Sequence, residues 1–210
     1  YVRLKETQIE SRTIVLAEDV TTSTLERLRI ERERDYDLLT GLYNRRAFYR
    51  FAGRLFDRPD KMKHAAVVMM DLDNLKRTND TFGHEWGDRY IHEAAVCFLR
   101  NIPDGTLCAR VSGDEFNILF CGYDSREAVQ HAIDRLVSGV ENSHFNLPDG
   151  QATRIHVSGG IAWYPEDGTE LMELIKCADF AMYQMKRNEK GRFGVCLLYT
   201  SPSPRDPKTS

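Results

Sequence analysis

The sequence predicts an α+β sandwich in which helices flank a mostly antiparallel central sheet. Three observations predict it. Segments with helical apolar spacing alternate with short apolar or β-branched runs. The longest apolar run, Ala65 to Met70, is strand-sized and is followed directly by acid. Two β-rich runs flank the quartet Ser112-Gly-Asp-Glu, which marks that quartet as a hairpin turn.

Taken in order, residues Val2 to Val20 read as two short β segments. Asp19-Val-Thr-Thr-Ser-Thr then offers N-cap residues to a charged helix over Leu25 to Asp35. Leu25, Leu28 and Arg32 fall on one side of it, a face too thin to hold a helix alone. It reads either as a solvated linker or as half of a short parallel coiled coil with a second copy. From Asp37 the composition turns globular. Helices are predicted over Leu42–Phe56, Asp88–Leu99, Ser125–Val140 and Glu170–Arg187, and strands over Ala65–Asp73, Thr106–Arg110, Phe116–Cys121, Arg154–Ala162 and Arg192–Leu198. In the second helix Tyr90, Ile91, Ala94, Ala95 and Phe98 should face inward. The segment between Asp73 and Asp88 reads as a loop. The end of the chain, rich in Pro and Ser without apolar periodicity, reads as a disordered and non-native tail.

Composition narrows the function. With 41% hydrophobic and 29% charged residues the chain is ordinary globular protein, which excludes disorder throughout, collagen and a disulfide scaffold. The 29 basic and 32 acidic residues leave a net charge of -3, so no bulk positive field exists to hold nucleic acid. No apolar run approaches the roughly 18 residues of a membrane helix. Cys97, Cys108, Cys121, Cys177 and Cys196 are scattered without CxxC spacing, which reads as a reduced, cytoplasmic protein without a zinc site. The chain begins at Tyr1 with no signal peptide, as a piece of something longer would; an upstream part is free to carry a membrane anchor.

Four groups of residues carry chemistry. Asp71 and Asp73 emerge together at the end of a buried strand and share a face of it. An unpaired carboxylate there is costly. A hard divalent cation, Mg²⁺ or Mn²⁺, would relieve it; so would capping the next helix or pairing with an Arg. Asp114 and Glu115 sit at the hairpin tip. Beside Asp71 they would hold two metals roughly 4 Å apart, suited to in-line attack of a hydroxyl on a phosphoryl group; otherwise they are ordinary turn residues. Asn79 and Asp88 offer an amide and a carboxylate that together match the edge of guanine, while Asp88 equally suits a helix N-terminus. A lone His84 lies between them. Lys186 and Lys190, at i, i+4 spacing near the end of the last helix, would meet a triphosphate or simply complement the helix dipole.

These pieces, in this order, resemble the GGDEF-domain family, the bacterial diguanylate cyclases. The resemblance runs from residue 37 to about 195: Asp37-Leu-Leu-Thr-Gly-Leu-Tyr-Asn-Arg-Arg, Asp71-Leu-Asp-Asn-Leu-Lys, Asn79-Asp, Gly83-His, Gly87-Asp, Ser112-Gly-Asp-Glu-Phe, Ser158-Gly-Gly-Ile-Ala, Tyr164-Pro-Glu-Asp-Gly, Ala178-Asp and Met182-Tyr-Gln-Met-Lys. It implies a ferredoxin-like sandwich akin to the palm of nucleotide cyclases and polymerases. It implies that two GTP condense to cyclic di-GMP with loss of two pyrophosphates, across a homodimer formed by the linker helix and facing GGDEF domains. Two Mg²⁺ (or Mn²⁺) per half-site would be held by Asp71, the Leu72 carbonyl and Asp114. Glu115 would sit at the metals or activate the hydroxyl. Asn79 and Asp88 would read guanine with His84 nearby, Lys76, Lys186 and Lys190 would face phosphates, and Ser112 and Gly113 would lie against nucleotide.

Three departures stand out. Ser112 replaces the first glycine of the signature, the next-smallest choice and one with a donor, so activity should survive. Leu75 replaces a common aromatic. Pro103-Asp-Gly-Thr stands where the family places the Arg-x-x-Asp of its product-inhibition site, so that site should be absent. The front also resembles a known unit: Ile14-Val-Leu-Ala-Glu-Asp-Val-Thr is similar to the last strand and exit of a PAS sensor. The resulting division is 1–20 as the end of a sensor, 21–36 as signalling linker helix, 37–195 as GGDEF domain and 196–210 as tail.

Overall fold

The apolar run becomes the middle of a nine-residue strand, His64–Leu72, buried along nearly its whole length. The computed structural model describes residues 1–9, 12–188 and 190–196. In chain order the elements are β1 (Val2–Ile9), β2 (Arg12–Asp19), α1 (Thr21–Asp35), β3 (Tyr43–Asn44), α2 (Arg45–Phe56), α3 (Pro59–Met62), β4 (His64–Leu72), α4 (Leu75–Phe82), α5 (His84–Asn101), β5 (Leu107–Ser112), β6 (Glu115–Tyr123), α6 (Arg126–Glu141), β7 (Phe145–Asn146), β8 (Ala152–Thr153), β9 (Val157–Tyr164), α7 (Leu171–Asn188) and β10 (Phe193–Val195).

The central sheet has the order β10-β9-β4-β6-β5-β3. β4 pairs antiparallel with both β6 and β9, and β5 with β6, while the short edge strands β3 and β10 run parallel to their neighbours. The sheet is therefore mostly antiparallel, as predicted. Helices cover both faces, which explains why β4 reads as unbroken apolar sequence rather than alternating. Ala66, Val68, Met70 and Leu72 face one way, against Ile91, Ala94 and Phe98 of α5 and Ile133 and Leu136 of α6. Ala65, Val67 and Met69 face the other, against Phe48 and Ala52 of α2 and Leu174, Ala178 and Met182 of α7. Each large side chain buried this way contributes about 1.5–3 kcal/mol. The five residues expected inward on α5 are all buried.

Several boundaries differ from expectation. The predicted loop after Asp73 is a helix, α4, and α5 starts at His84, so Asp88 lies inside α5 and does not begin it. Asn79-Asp-Thr and two nearby glycines have weak helix propensity; tertiary packing overrides it. Helix α2 starts three residues later than predicted because Asn44 caps it, accepting from the Ala47 N–H at 2.9 Å. The strand predicted from Arg154 begins at Val157, preceded by the small hairpin β7–β8. Cys196, which falls within the predicted strand Arg192–Leu198 and at the first position of the tail, extends the edge of the sheet, its N–H bonding the Ile161 carbonyl at 3.0 Å. It is bonded to Cys177 of α7, a pairing that the scattered spacing gave no sign of. The tail from residue 197 on lies outside the described residues, as do the side chains of Leu28 and Arg32. At the front, β1 and β2 form an antiparallel hairpin followed by α1, on which Leu25 is exposed. Among the described residues no helix is long and apolar enough to cross a membrane.

Candidate active site

The alternation along β4 decides where its acid points. Asp71 has the parity of Val67 and Met69, so it lies on the α7 side of the sheet, where the Lys186 ammonium stands 2.5 Å from its carboxylate. In register, Asp71 is opposite Glu115 of β6 on one side and Ser158 of β9 on the other. The ends of three adjacent strands thus set a hydroxyl and two carboxylates side by side. The hairpin tip is fastened to the same place: the Leu72 N–H donates to the Asp114 carbonyl at 3.0 Å. Residues some forty positions apart meet at one strand end. Burial pushes the Asp71 carboxyl above its ordinary range; Lys186 pulls it back, and the nearby Asp114 and Asp73 push it up again. Asp71 is only 6% exposed.

The tip is braced from the opening motif. The Arg110 guanidinium donates through Nε to the Gly113 carbonyl at 2.9 Å and pairs through Nη1 with both oxygens of Asp37 at 3.3 Å. Asp37 in turn accepts from the Thr40 N–H at 2.9 Å and the Thr40 hydroxyl at 2.7 Å. At the tip itself the Ser112 hydroxyl donates to Glu115 Oε2 at 2.7 Å. Arg110→Ala removes the bond that fixes the Gly113 carbonyl and leaves Asp37 without its cation. We expect turnover to fall by about tenfold or more, the effect of losing one or two charge-assisted bonds, with thermal stability changed by only a few degrees. Initial rates and a melting curve on the same preparation check this.

The remaining predicted residues fall into two groups. Asp71, Leu72, Asp114, Lys76, Lys186 and Lys190 line one cavity of about 530 Å³. Lys190 is not on the helix as its spacing suggested, since α7 ends at Asn188 and Lys190 lies in the following turn. Asn79, His84 and Asp88 do not line that cavity. Asn79 on α4 is pressed against α5, where a Cβ added to Gly87 would fall 1.8 Å from its Oδ1. That Oδ1 is buried and has no hydrogen-bond partner among the described residues, which leaves an acceptor to be satisfied. Asp88, exposed, lines a separate cavity of about 620 Å³ with Leu39 and Trp86. His84 is exposed at the first residue of α5.

Sequence reasoning missed the polar residues behind the acids. Asp73, also at the first cavity, accepts from the Ser158 hydroxyl at 2.8 Å. The Tyr90 hydroxyl accepts from the His156 N–H at 2.8 Å and donates to the Asp73 carbonyl at 3.4 Å, and burial pushes it up to about 12. Asn117, two residues along β6 from Glu115, is fully buried with neither amide atom partnered among the described residues. In the sequence Ser158 and Asn117 are only polar letters in apolar strands, and Tyr90 only an inward-facing helix residue; which neighbour each meets depends on a register the sequence does not display.

Comparison with known proteins agrees with this fold. Residues 34–192 match the family model "Diguanylate cyclase, GGDEF domain". The chain is 32% identical over 180 residues to the signaling protein YkoW of Bacillus subtilis, covering 85% of this chain and 22% of YkoW. It is 30% identical over 185 residues to the probable diguanylate cyclase DgcE of Escherichia coli, covering 87% of this chain and 16% of DgcE. It therefore spans less than a quarter of either relative. Among solved structures, the GGDEF domain of YfiN (TpbB) from Pseudomonas aeruginosa superposes with a TM-score of 0.70 at 30% identity, covering 77% of this chain and 94% of that one. The coiled coil and GGDEF domain of DgcB from Caulobacter crescentus, solved with c-di-GMP, gives 0.69 at 26% identity, covering 83% and 95%. With the family model matched over residues 34–192 and the fold shared with solved GGDEF domains, the chain belongs to the GGDEF family of diguanylate cyclase domains.

Proposed function

We propose that the chain is an active diguanylate cyclase that condenses two GTP into cyclic di-GMP and two pyrophosphates. The observation that carries the reading is the single cavity in which Asp71 and Asp114 face Lys76, Lys186 and Lys190. Acids of one sign crowded at a buried strand end, with oxygen as the donor type, fit Mg²⁺ or Mn²⁺ and no softer ion. The Asp71 and Asp114 carboxylates and the Leu72 carbonyl would hold two such ions. Bound there, they supply Lewis-acid polarisation of the α-phosphoryl group and lower the pKa of a neighbouring hydroxyl.

The chain's own groups do the rest. Lys76, Lys186 and Lys190 neutralise and orient the β- and γ-phosphates, so that the α-phosphorus presents its bond to the pyrophosphate leaving group in line with the attacking oxygen. Glu115 accepts the proton of the ribose 3′-hydroxyl or steadies the ions. Asn79 and Asp88 hold guanine, with His84 at the start of the helix that carries Asp88. The buried Asn79 Oδ1, without a hydrogen-bond partner among the described residues, supports this, because a base amine would satisfy it. Gly113 and Ser112 keep the turn low over the nucleotide. One copy presents one GTP, so the reaction needs a second copy, supplied by a homodimer through α1 and facing cyclase domains. The hairpin β1–β2 would be the end of a PAS-like sensor whose signal passes through α1.

A second reading has one observation in its favour. The Ser112 hydroxyl engages the Glu115 carboxylate, which would suit a domain that binds GTP or a protein partner without turnover. Incubating the protein at high concentration with GTP and Mg²⁺ separates the two. Cyclic di-GMP, abolished by EDTA, is the expected result; bound, unconverted GTP would establish the second reading. A related expectation concerns feedback. Pro103 to Thr106 form a tight turn closed by the Thr106 N–H on the Pro103 carbonyl at 3.2 Å, with no arginine in it. Added product should inhibit weakly and competitively with GTP; potent non-competitive inhibition in steady-state rates would contradict this.

A further inference from the structure

Behind the cavity lies a buried clasp that none of the roles above uses. Ser158 is fully buried. Its hydroxyl donates to Asp73 Oδ2 at 2.8 Å and accepts the Gly191 N–H at 3.1 Å. Asp73 is itself only 9% exposed and is anchored through its own N–H, which bonds the His156 carbonyl at 2.9 Å. Gly191 directly follows Lys190 in the turn between α7 and β10, in the left-handed conformation at φ 82°. The adjoining bond, from the Gly159 N–H to the Arg192 carbonyl at 3.0 Å, fastens the other end of that turn to β9.

We propose that Ser158 is a positioning residue for Lys190, acting through the Gly191 backbone and oriented by Asp73. This rests on the reading that the cavity takes the triphosphate of GTP. A hydroxyl has one proton. That proton goes to Asp73 Oδ2, and so the lone pair of Ser158 is left facing the Gly191 N–H. The turn is thereby fixed against the end of β4, and Lys190 enters the cavity from a held backbone instead of a free one. Lys190 needs such help because it lies beyond the last helical hydrogen bonds of α7. Lys186, within the helix and paired to Asp71, does not.

The test compares Ser158→Ala, Ser158→Thr, Lys190→Ala and the Ser158→Ala/Lys190→Ala double variant. Both GTP dissociation constants in Mg²⁺ and steady-state rates are measured. Ser158→Ala should raise the GTP Kd and KM by about tenfold, the scale of one lost bond to a buried group, with kcat changed less than twofold. Ser158→Thr, which keeps the hydroxyl, should restore both. In the Lys190→Ala background Ser158→Ala should have no further effect on Kd. Full additivity, or a fall in kcat at constant KM, overturns the proposal. Amide exchange gives a readout free of nucleotide: Ser158→Ala should speed exchange at Gly191 at least tenfold with the rest of β9 unchanged, and unaltered exchange there overturns the clasp. Should Ser158→Ala fail to fold, Ser158→Cys, close in size and a weaker donor, is read by the same criteria. The cyclase reading fails separately: a wild-type protein that binds GTP and forms no product ends that reading while the Kd comparison still decides the clasp. A wild-type protein that binds no GTP overturns both.

Discussion

Asp114→Ala is expected to lower cyclic di-GMP formation by about a thousandfold or more, equivalent to about 4 kcal/mol of transition-state stabilisation, without loosening the fold. The two parts of that expectation come from different atoms of one residue. The backbone of Asp114 is structural: its carbonyl accepts from the Leu72 N–H and fastens the hairpin to the end of β4. Alanine keeps that carbonyl. The side chain lies half-exposed at the cavity, bears no hydrogen bond from protein among the described residues, and stands near Asp71 as a like charge. Its removal relieves repulsion in the empty site, so the melting temperature in the absence of Mg²⁺ should hold or rise slightly. The stabilisation that Mg²⁺ confers on the wild type should shrink. A variant that still turns over at the wild-type rate, or one whose response to Mg²⁺ is undiminished, would remove Asp114 from the metal site and with it the two-ion scheme.

What could be seen in advance follows from physics that acts locally. The apolar run ending in acid announced β4 because a strand covered by helices on both faces must be apolar at every position, not at alternate ones. The spacing of Tyr90, Ile91, Ala94, Ala95 and Phe98 announced the buried face of α5 because 3.6-residue periodicity survives any tertiary setting. The hairpin at Ser112 to Glu115 was legible from turn chemistry. The nearness of that hairpin to Asp71 was not; it depends on β4 and β6 being neighbours in a particular register, and only the resemblance suggested it. Helix α4 was missed because Asn79, Asp80 and Thr81 favour turns when isolated. Packing against α5, close enough that a Cβ at position 87 would meet the Asn79 amide, holds them helical. Ser158 stayed hidden for the same reason as Asn117: a polar residue in a central strand has a meaning only once its cross-strand partners are known.

Gly160→Ala should be the most destabilising of the single-methyl changes at the glycines of β9, and its neighbour shows why. A Cβ at Gly160 would lie 2.0 Å from the Ala178 carbonyl oxygen and 2.4 Å from the Met182 nitrogen, both backbone atoms of α7. No rotamer change can relieve that contact; the helix must move off the sheet. A Cβ at Gly159, on the opposite face, would lie 2.3 Å from the Phe193 ring. That ring is a side chain near the sheet edge and can turn aside. We therefore expect about 3 kcal/mol or more for Gly160→Ala and about 1 kcal/mol for Gly159→Ala, or a fall in melting temperature of roughly 6–12 °C against about 2–4 °C for a chain of this size. The displacement also has a chemical consequence, because α7 carries Lys186, and its ammonium is the cation paired with the buried Asp71. Lifting the helix lengthens that pair and leaves a carboxylate with less compensation at the strand end, so the surviving folded fraction should bind GTP more weakly, which Gly159→Ala should not do. Equal melting temperatures for the two variants would mean that α7 does not rest on β9 at this distance, and that Lys186 reaches Asp71 by some other support.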